Sequence, residues 1–128
     1  MHPNDLLCPR PLPPEAAAVL HSVDWSALEW VPVRRGIERK AFGSGNVTLA
    51  LHRLMPGHEP RPHQHPNEQV MYILAGQMDV HVDGQVVRLG PGGLLLIPPH
   101  ALHYGVVVGD EPVLNLDVFT PARPEYLA

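Results

Sequence analysis

Four polar residues of this 128-residue chain fall at intervals that suit a metal ion: His63, His65, Gln69 and His103. His63 and His65 are two apart, so on an extended strand they point to one face. Gln69 has the same parity and opens the next apolar run. His103 lies forty residues beyond His63, at the start of another. Three imidazoles and one side-chain oxygen can together hold a divalent transition ion. A polar surface loop would also account for a His-Gln-His run, and spacing alone does not separate the two readings.

A second group of chemically able residues lies near the C-terminus. On one strand, Asn115, Asp117 and Phe119 share a face, and Leu114, Leu116 and Val118 form an apolar layer on the other. Asp117 is expensive to bury unless paired. Arg123 could be its partner or a clamp for a substrate. A solvent-exposed face would explain the same pattern. Arg61 shares the parity of His63 and could reach the same pocket or sit in an exposed loop. Met71 and Ile73 continue the Gln69 face and should line the cavity or its base, with Tyr72 opposite. Arg34, Arg35, Arg39 and Lys40 read as a solvated strand edge, because charge protects edges. His2, His21, His52 and His58 have no constellation. Trp25 and Trp30 read as core or dimer contacts.

The elements that must carry these residues are short strands divided by turn residues. Candidates run over 28–33, 37–42, 47–54, 69–75, 78–82, 86–89, 94–97, 103–108 and 113–119. Asp83-Gly84 predicts a type I′ hairpin turn, since the pair accepts positive φ. Nine or ten strands with frequent turns predict an all-β sandwich or barrel. Residues 1–22 read as an arm: extended through the prolines of 1–14, then one helical turn over 15–20. Residues 23–128 read as a single domain.

Composition bounds the rest. Hydrophobic residues are 45% and charged residues 17%, which opposes global disorder. A net charge of −4 disfavours nucleic-acid binding. The single cysteine, Cys8, allows no internal disulfide. The longest aliphatic run, Leu94 to Ile97, is far short of a membrane span. The first residues lack the basic and apolar regions of a signal peptide, and a cytoplasmic location is expected.

The intervals around the histidines resemble those of the cupins. Gly57 is followed by five residues and then His63, Gln64 and His65; three residues lead to Gln69 and six more to Gly76. Gln69 stands where that motif usually has Glu. Leu89-Gly90-Pro91-Gly92-Gly93, then Ile97-Pro98 and His103, resemble the second motif, with Gly93 and Val107 as departures at positions that are not usual ligands. The resemblance covers residues 45–120. It implies a double-stranded β-helix, a jelly-roll barrel, holding one divalent metal ion (Mn, Fe, Co, Ni or Zn) on His63, His65, Gln69 and His103. It also implies a homodimer, across which the N-terminal arm could lie.

The stretch from Asp117 to Leu127, with the His-x-His-Pro-x-Glu-Gln run through Glu68, is similar to the pectin-degradation (KdgF-like) cupins, which ketonise 4,5-unsaturated uronates. That resemblance implies Asp117 and Arg123 as catalytic residues and Phe119 as a substrate contact, beside which Arg61 and Met71 are candidates. Asp117 would move a proton, and Arg123 would hold the uronate carboxylate. Gln69 leaves the site one negative charge poorer than a Glu would, which favours Lewis-acid isomerase or lyase chemistry over redox cycling. The expected function is therefore a metal-dependent isomerase or lyase on a small oxygenated acid. The alternatives are an Fe(II) dioxygenase and a non-catalytic cupin that binds a metal and a small ligand.

Overall fold

The computed structural model describes residues 19–127. The prolines assigned to the arm, Cys8 and most of the helical turn over 15–20 lie outside that range. Nine strands follow a 3₁₀ turn at Trp25–Ala27. They are β1 (Val31–Arg34), β2 (Ile37–Gly43), β3 (Thr48–Leu54), β4 (Glu68–Ala75), β5 (Gln77–Val82), β6 (Gln85–Leu89), β7 (Leu94–Ile97), β8 (His103–Val108) and β9 (Val113–Thr120). A second 3₁₀ turn, Pro124–Tyr126, follows β9.

All pairings are antiparallel. A six-stranded sheet runs β1-β2-β3-β9-β4-β7 and a three-stranded sheet runs β6-β5-β8. This is the all-β, two-sheet architecture that the strand pattern predicted, in the jelly-roll form that the cupin resemblance implied. The first strand begins at Val31 rather than 28, because the Leu28 N–H is committed to the Trp25 carbonyl at 3.1 Å. At the Asp83-Gly84 turn both residues have positive φ, 45° and 82°, as a type I′ turn requires. Gly76 carries the chain from the large sheet to the small one at φ 80°. A Cβ there would lie 2.4 Å from the Pro112 carbonyl oxygen, so only glycine fits the crossing.

Period-two alternation sorts the side chains. Along β9, Val113, Asn115, Asp117 and Phe119 are buried between the sheets, and Leu114, Leu116 and Val118 face outward. Ile37, Leu54, Met71, Ile73, Met78, Val80, Leu89, Ile97, Ala101 and Val113 form the core. Register sets three inward-facing rows across the large sheet: Arg39–His52–Asn115–Ile73, Ala41–Ala50–Asp117–Met71, and Gly43–Thr48–Phe119–Gln69. Each row carries polar side chains into the space between the sheets: Arg39, His52 and Asn115 in the first, Asp117 in the second, and Thr48 and Gln69 in the third. Among the described residues no helix is long and apolar enough to cross a membrane.

Candidate metal centre and its cavity

Three elements meet at one mouth of the barrel. Gln69 comes from β4 of the large sheet and His103 from β8 of the small one. His63 and His65 belong to the loop before β4 rather than to a strand. Backbone pairing still holds that loop extended. His63 and His103 exchange N–H···O=C bonds of 3.0 and 2.9 Å, and the His100 N–H donates to the His65 carbonyl at 2.7 Å. The loop is thus stitched to the start of β8, and the imidazoles converge: one nitrogen from each of His63, His65 and His103 lies within 4.8 Å of the others.

The hydrogen bonds on the far side of each ring fix which nitrogen faces inward. Nδ1 of His63 meets the Arg61 carbonyl at 2.8 Å, Nδ1 of His65 the Asn67 carbonyl at 3.0 Å, and Nδ1 of His103 the Ala101 carbonyl at 2.8 Å. A carbonyl only accepts, so each Nδ1 carries the proton and each neutral ring offers its Nε2 lone pair to the centre. Gln69 Oε1 lies 3.0 Å from Nε2 of His65 and 3.1 Å from Nε2 of His103. Acceptors therefore face acceptors with no proton between them. That donor set fits a divalent cation, which would satisfy all four at once. Burial is the largest influence on His63 and lowers it to about 4, so the ring is neutral over the whole physiological range. Burial lowers His65 in the same direction.

The other end of Gln69 explains its orientation. Its Nε2 donates to Asp117 Oδ1 at 2.8 Å. Turning the amide over would set its oxygen against the carboxylate. Asp117 Oδ2 accepts from His52 Nδ1 at 2.8 Å, and His52 Nε2 accepts from Arg39 Nε at 3.0 Å. Arginine has no acceptor, so His52 carries its proton on Nδ1. Burial alone would push Asp117 up, but the hydrogen bonds from His52 and Gln69 hold it below the usual carboxylate range. Asp117 is thus a buried carboxylate, held ionised one hydrogen bond behind the amide.

His63, Gln69, His103, Asp117, His52 and Arg39 line a cavity of about 100 Å³ between the sheets, together with Phe119, Met71, Arg34, Asn115 and Tyr126; His65 is not among its lining residues. The profile of the family described as a cupin domain matches residues 50–119. The chain belongs to the cupin family. This cupin is 32% identical to a gentisate 1,2-dioxygenase of a Streptomyces species, over 84% of the chain and 36% of that relative; it therefore spans about a third of that protein's length. It is 28% identical to the pectin degradation protein KdgF of Dickeya dadantii, over 77% of the chain and 90% of the relative. Its fold is similar to the solved structure of KdgF from a Halomonas species, with a TM-score of 0.71, 27% identity, and coverage of 78% and 92% of the two chains.

Of the residues expected at the site, the structure brings together His63, His65, Gln69, His103, Asp117, Phe119 and Met71. Arg61 is not among the cavity-lining residues; its guanidinium pairs with Glu59 at 2.9 Å on the surface. Arg123 is not the partner of Asp117. Its Nε pairs with Glu125 at 2.8 Å, its backbone N–H donates to Thr48 Oγ1 at 2.8 Å, and its guanidinium carbon lies 4.3 Å from the Tyr126 ring centre and 5.1 Å from that of Phe119. It therefore stands beside two cavity residues rather than among them.

Four participants were not expected: Arg34, Arg39, His52 and Tyr126. Arg34 and Arg39 are partly buried lining residues, not a solvated edge, because both project from β1 and β2 into the cavity between the sheets. Parity could have found Arg39, which shares a face with Ile37 of the core; Arg34 has the other parity and lies where the β1 register shifts, so no such signal marks it. His58 is also buried, with Nε2 accepting from the Val107 N–H at 3.2 Å, outside the cavity. Trp30 lies neither in the core nor in the cavity; Lys40 and Arg53 stack on it at 4.8 and 4.3 Å.

Proposed function

We propose that this cupin is a metal-dependent isomerase or lyase-type enzyme acting on a small oxygenated acid, with a 4,5-unsaturated uronate as the specific substrate and ring opening with ketonisation as the reaction. The observation that carries this reading is the placement of an ionised, buried Asp117 in the cavity of the three-histidine group, tied to Gln69. A bound divalent ion would supply Lewis-acid polarisation of a substrate oxygen. His63, His65, Gln69 and His103 would hold it.

Ketonisation moves a proton from an enol oxygen to a carbon and needs neither oxidant nor reductant. Asp117 is the group suited to carry that proton, because a carboxylate has lone pairs left after accepting from His52 and Gln69. Phe119 packs its ring against the substrate. Arg123, stacked over Phe119 and Tyr126, places positive charge beside two cavity residues, where it would attract an acid. The similarity to two KdgF proteins supports the uronate. The decisive assay follows the loss of alkene ultraviolet absorbance from 4,5-unsaturated galacturonate under anaerobic conditions. Acceleration by the metal-loaded protein, lost in Asp117→Ala, is the expected result.

The similarity to a gentisate 1,2-dioxygenase favours a second reading, an Fe(II) dioxygenase. It predicts oxygen uptake by the iron-loaded protein with a phenolic or dicarbonyl acid, and silence in the anaerobic assay. A cupin that only binds its ligand would show stabilisation by that ligand without turnover.

The chain is further proposed to work in the cytoplasm as a homodimer joined through the outer face of the large sheet. Leu94 and Leu96 of β7 are 66% and 56% exposed there, beside Tyr72 and Leu74 of β4 at 36% and 41%. Leu116 and Val118 continue the same face. A contiguous apolar face on one sheet is suited to a second copy of itself, because a two-fold axis sets identical strands against each other.

A further inference from the structure

Arg34 and Arg39 reach the cavity from adjacent strands of the large sheet. Neither makes an ion pair with a carboxylate among the described residues. The acids nearby are committed elsewhere: Asp117 to His52, Glu59 to Arg61, and Glu125 to Arg123. Arg34 spends only Nε, on the Glu59 carbonyl at 2.7 Å, and Arg39 spends only Nε, on His52 at 3.0 Å. The two terminal nitrogens of each fork have no partner among the described residues. The Arg39 guanidinium is held flat by Tyr126, whose ring centre lies 3.5 Å from its central carbon. Burial pushes both guanidiniums down, and neighbouring cations add to this: Arg61 and Arg39 for Arg34, Arg123 for Arg39.

A partly buried, oriented cation without a counter-charge is costly unless something anionic arrives. Asn115 makes an independent case for a ligand at the same place. It stands in the Arg39–His52–Asn115 row, is 3% exposed, lines the cavity, and its Oδ1 has no donor among the described residues. A buried acceptor left unpaired is a cost that a ligand hydroxyl would remove.

We propose that Arg34 and Arg39 form a carboxylate-binding subsite, with Asn115 accepting from a hydroxyl beside that carboxylate. The substrate is then a hydroxy acid whose carboxylate lies several bonds from the oxygen that meets the metal. The cavity volume of about 100 Å³ suits this arrangement: it takes a carboxylate-bearing fragment, and the rest of a ring occupies the open mouth. The proposal rests on the metal-cupin reading of the site and extends it. It gives the acid to Arg34 and Arg39, on β1 and β2 at the far side of the large sheet from Gln69, rather than to Arg123.

The test uses full-length, zinc-loaded protein, in which zinc keeps the resonances sharp. Succinate is titrated while the Arg Nε–H and His ring signals are followed by NMR. Saturable shifts of Arg34 and Arg39 are expected, with affinity falling about ten- to a hundredfold in Arg39→Gln and in Arg34→Gln. Arg39→Lys should recover part of the loss, since the charge remains and the fork does not. Arg123→Gln should change affinity by less than either. Arg34→Gln removes only one hydrogen bond to a carbonyl, so it keeps the test open if Arg39→Gln folds poorly. Succinate held by zinc alone would shift the histidine rings and survive both substitutions. That result, or no saturable arginine shift, overturns the subsite. Failure of the ketonisation assay with the arginine shifts intact would instead overturn the uronate reading and leave the subsite standing.

Discussion

Gln69 and Asp117 act as one unit. The amide donates from Nε2 to Asp117 Oδ1 at 2.8 Å, while its oxygen lies 3.0 and 3.1 Å from two imidazole nitrogens. The missing negative charge of a Glu ligand is thus present one hydrogen bond further out. Gln69→Glu would place two buried carboxylates in contact, and one would have to stay protonated. The metal-free variant should be destabilised by about 2–3 kcal/mol at neutral pH, the cost of shifting a carboxyl by two pH units. Adding zinc should raise its Tm more than it raises that of the parent. Equal metal-free Tm values for the two proteins would show that Asp117 is not ionised against Gln69.

The same pairing changes what loss of the carboxylate should do. In the proposed function Asp117 orients the Gln69 ligand and also faces the substrate, so both roles must be read. In Asp117→Asn one oxygen still accepts, but the two N–H groups of His52 and Gln69 compete for it. Stability should fall by about 1–3 kcal/mol. Zinc affinity should fall by about tenfold, the effect of weakening an outer partner. If Asp117 carries the proton as proposed, turnover of the unsaturated uronate at saturating metal should fall by at least about a hundredfold. Activity within a few-fold of the parent at saturating metal would remove Asp117 from the chemistry.

Three histidines make the metal-free protein acid-sensitive: His58 and His65 are buried, and His63 is desolvated by the groups packed around it. Burial is the leading cause of the downward shift at each of His63, His65 and His58. For His63 the folded value is about 4 against an ordinary 6.5. Between those values the unfolded chain binds a proton that the folded chain refuses, so stability rises with pH. The contribution is complete above the unfolded value and is lost as pH falls toward about 4. Urea midpoints of the metal-free protein should therefore drop steadily between about pH 7 and about pH 5, and His63→Gln should flatten the slope. A pH-independent midpoint would mean that the rings are solvated.

The strands and the metal group were legible in sequence because both are local. Alternation over five to eight residues defines a strand, and the intervals around His63, His65 and Gln69 lie within one loop and one strand. Asp83-Gly84 carries its turn type in its own composition. What was not legible depends on register. His52 meets Asp117 only because β3 pairs β9, with Ala50 opposite Asp117 and His52 opposite Asn115. Arg39 meets His52 only because β2 pairs β3 at that position. Nothing near either residue in the chain announces the other. The basic run 34–40 concealed its inward-facing members, since a charged stretch reads as exposed until the pairing of β1, β2 and β3 shows which side chains face the cavity. Asp117 was identified as a costly group to bury, but its partners lie 65 and 48 residues away.

The outer face of the large sheet makes a prediction that leaves the metal centre alone. Leu94 and Leu96 point away from the cavity, whereas Leu95 and Ile97 between and beside them pack inward. A homodimer through this face would bury Leu94, Leu96, Tyr72 and Leu74 against their own copies. Stable pairs of subunits bury about 800 Å² on each partner, and charged side chains are depleted at the centre of such contacts. Two glutamates placed there would face two more across the two-fold axis. Leu94→Glu/Leu96→Glu should therefore halve the mass measured by light scattering, while zinc affinity stays within about twofold because no ligand contacts these side chains. A parent protein that is already monomeric at high micromolar concentration would exclude the interface. A dimeric double variant would move it to another surface.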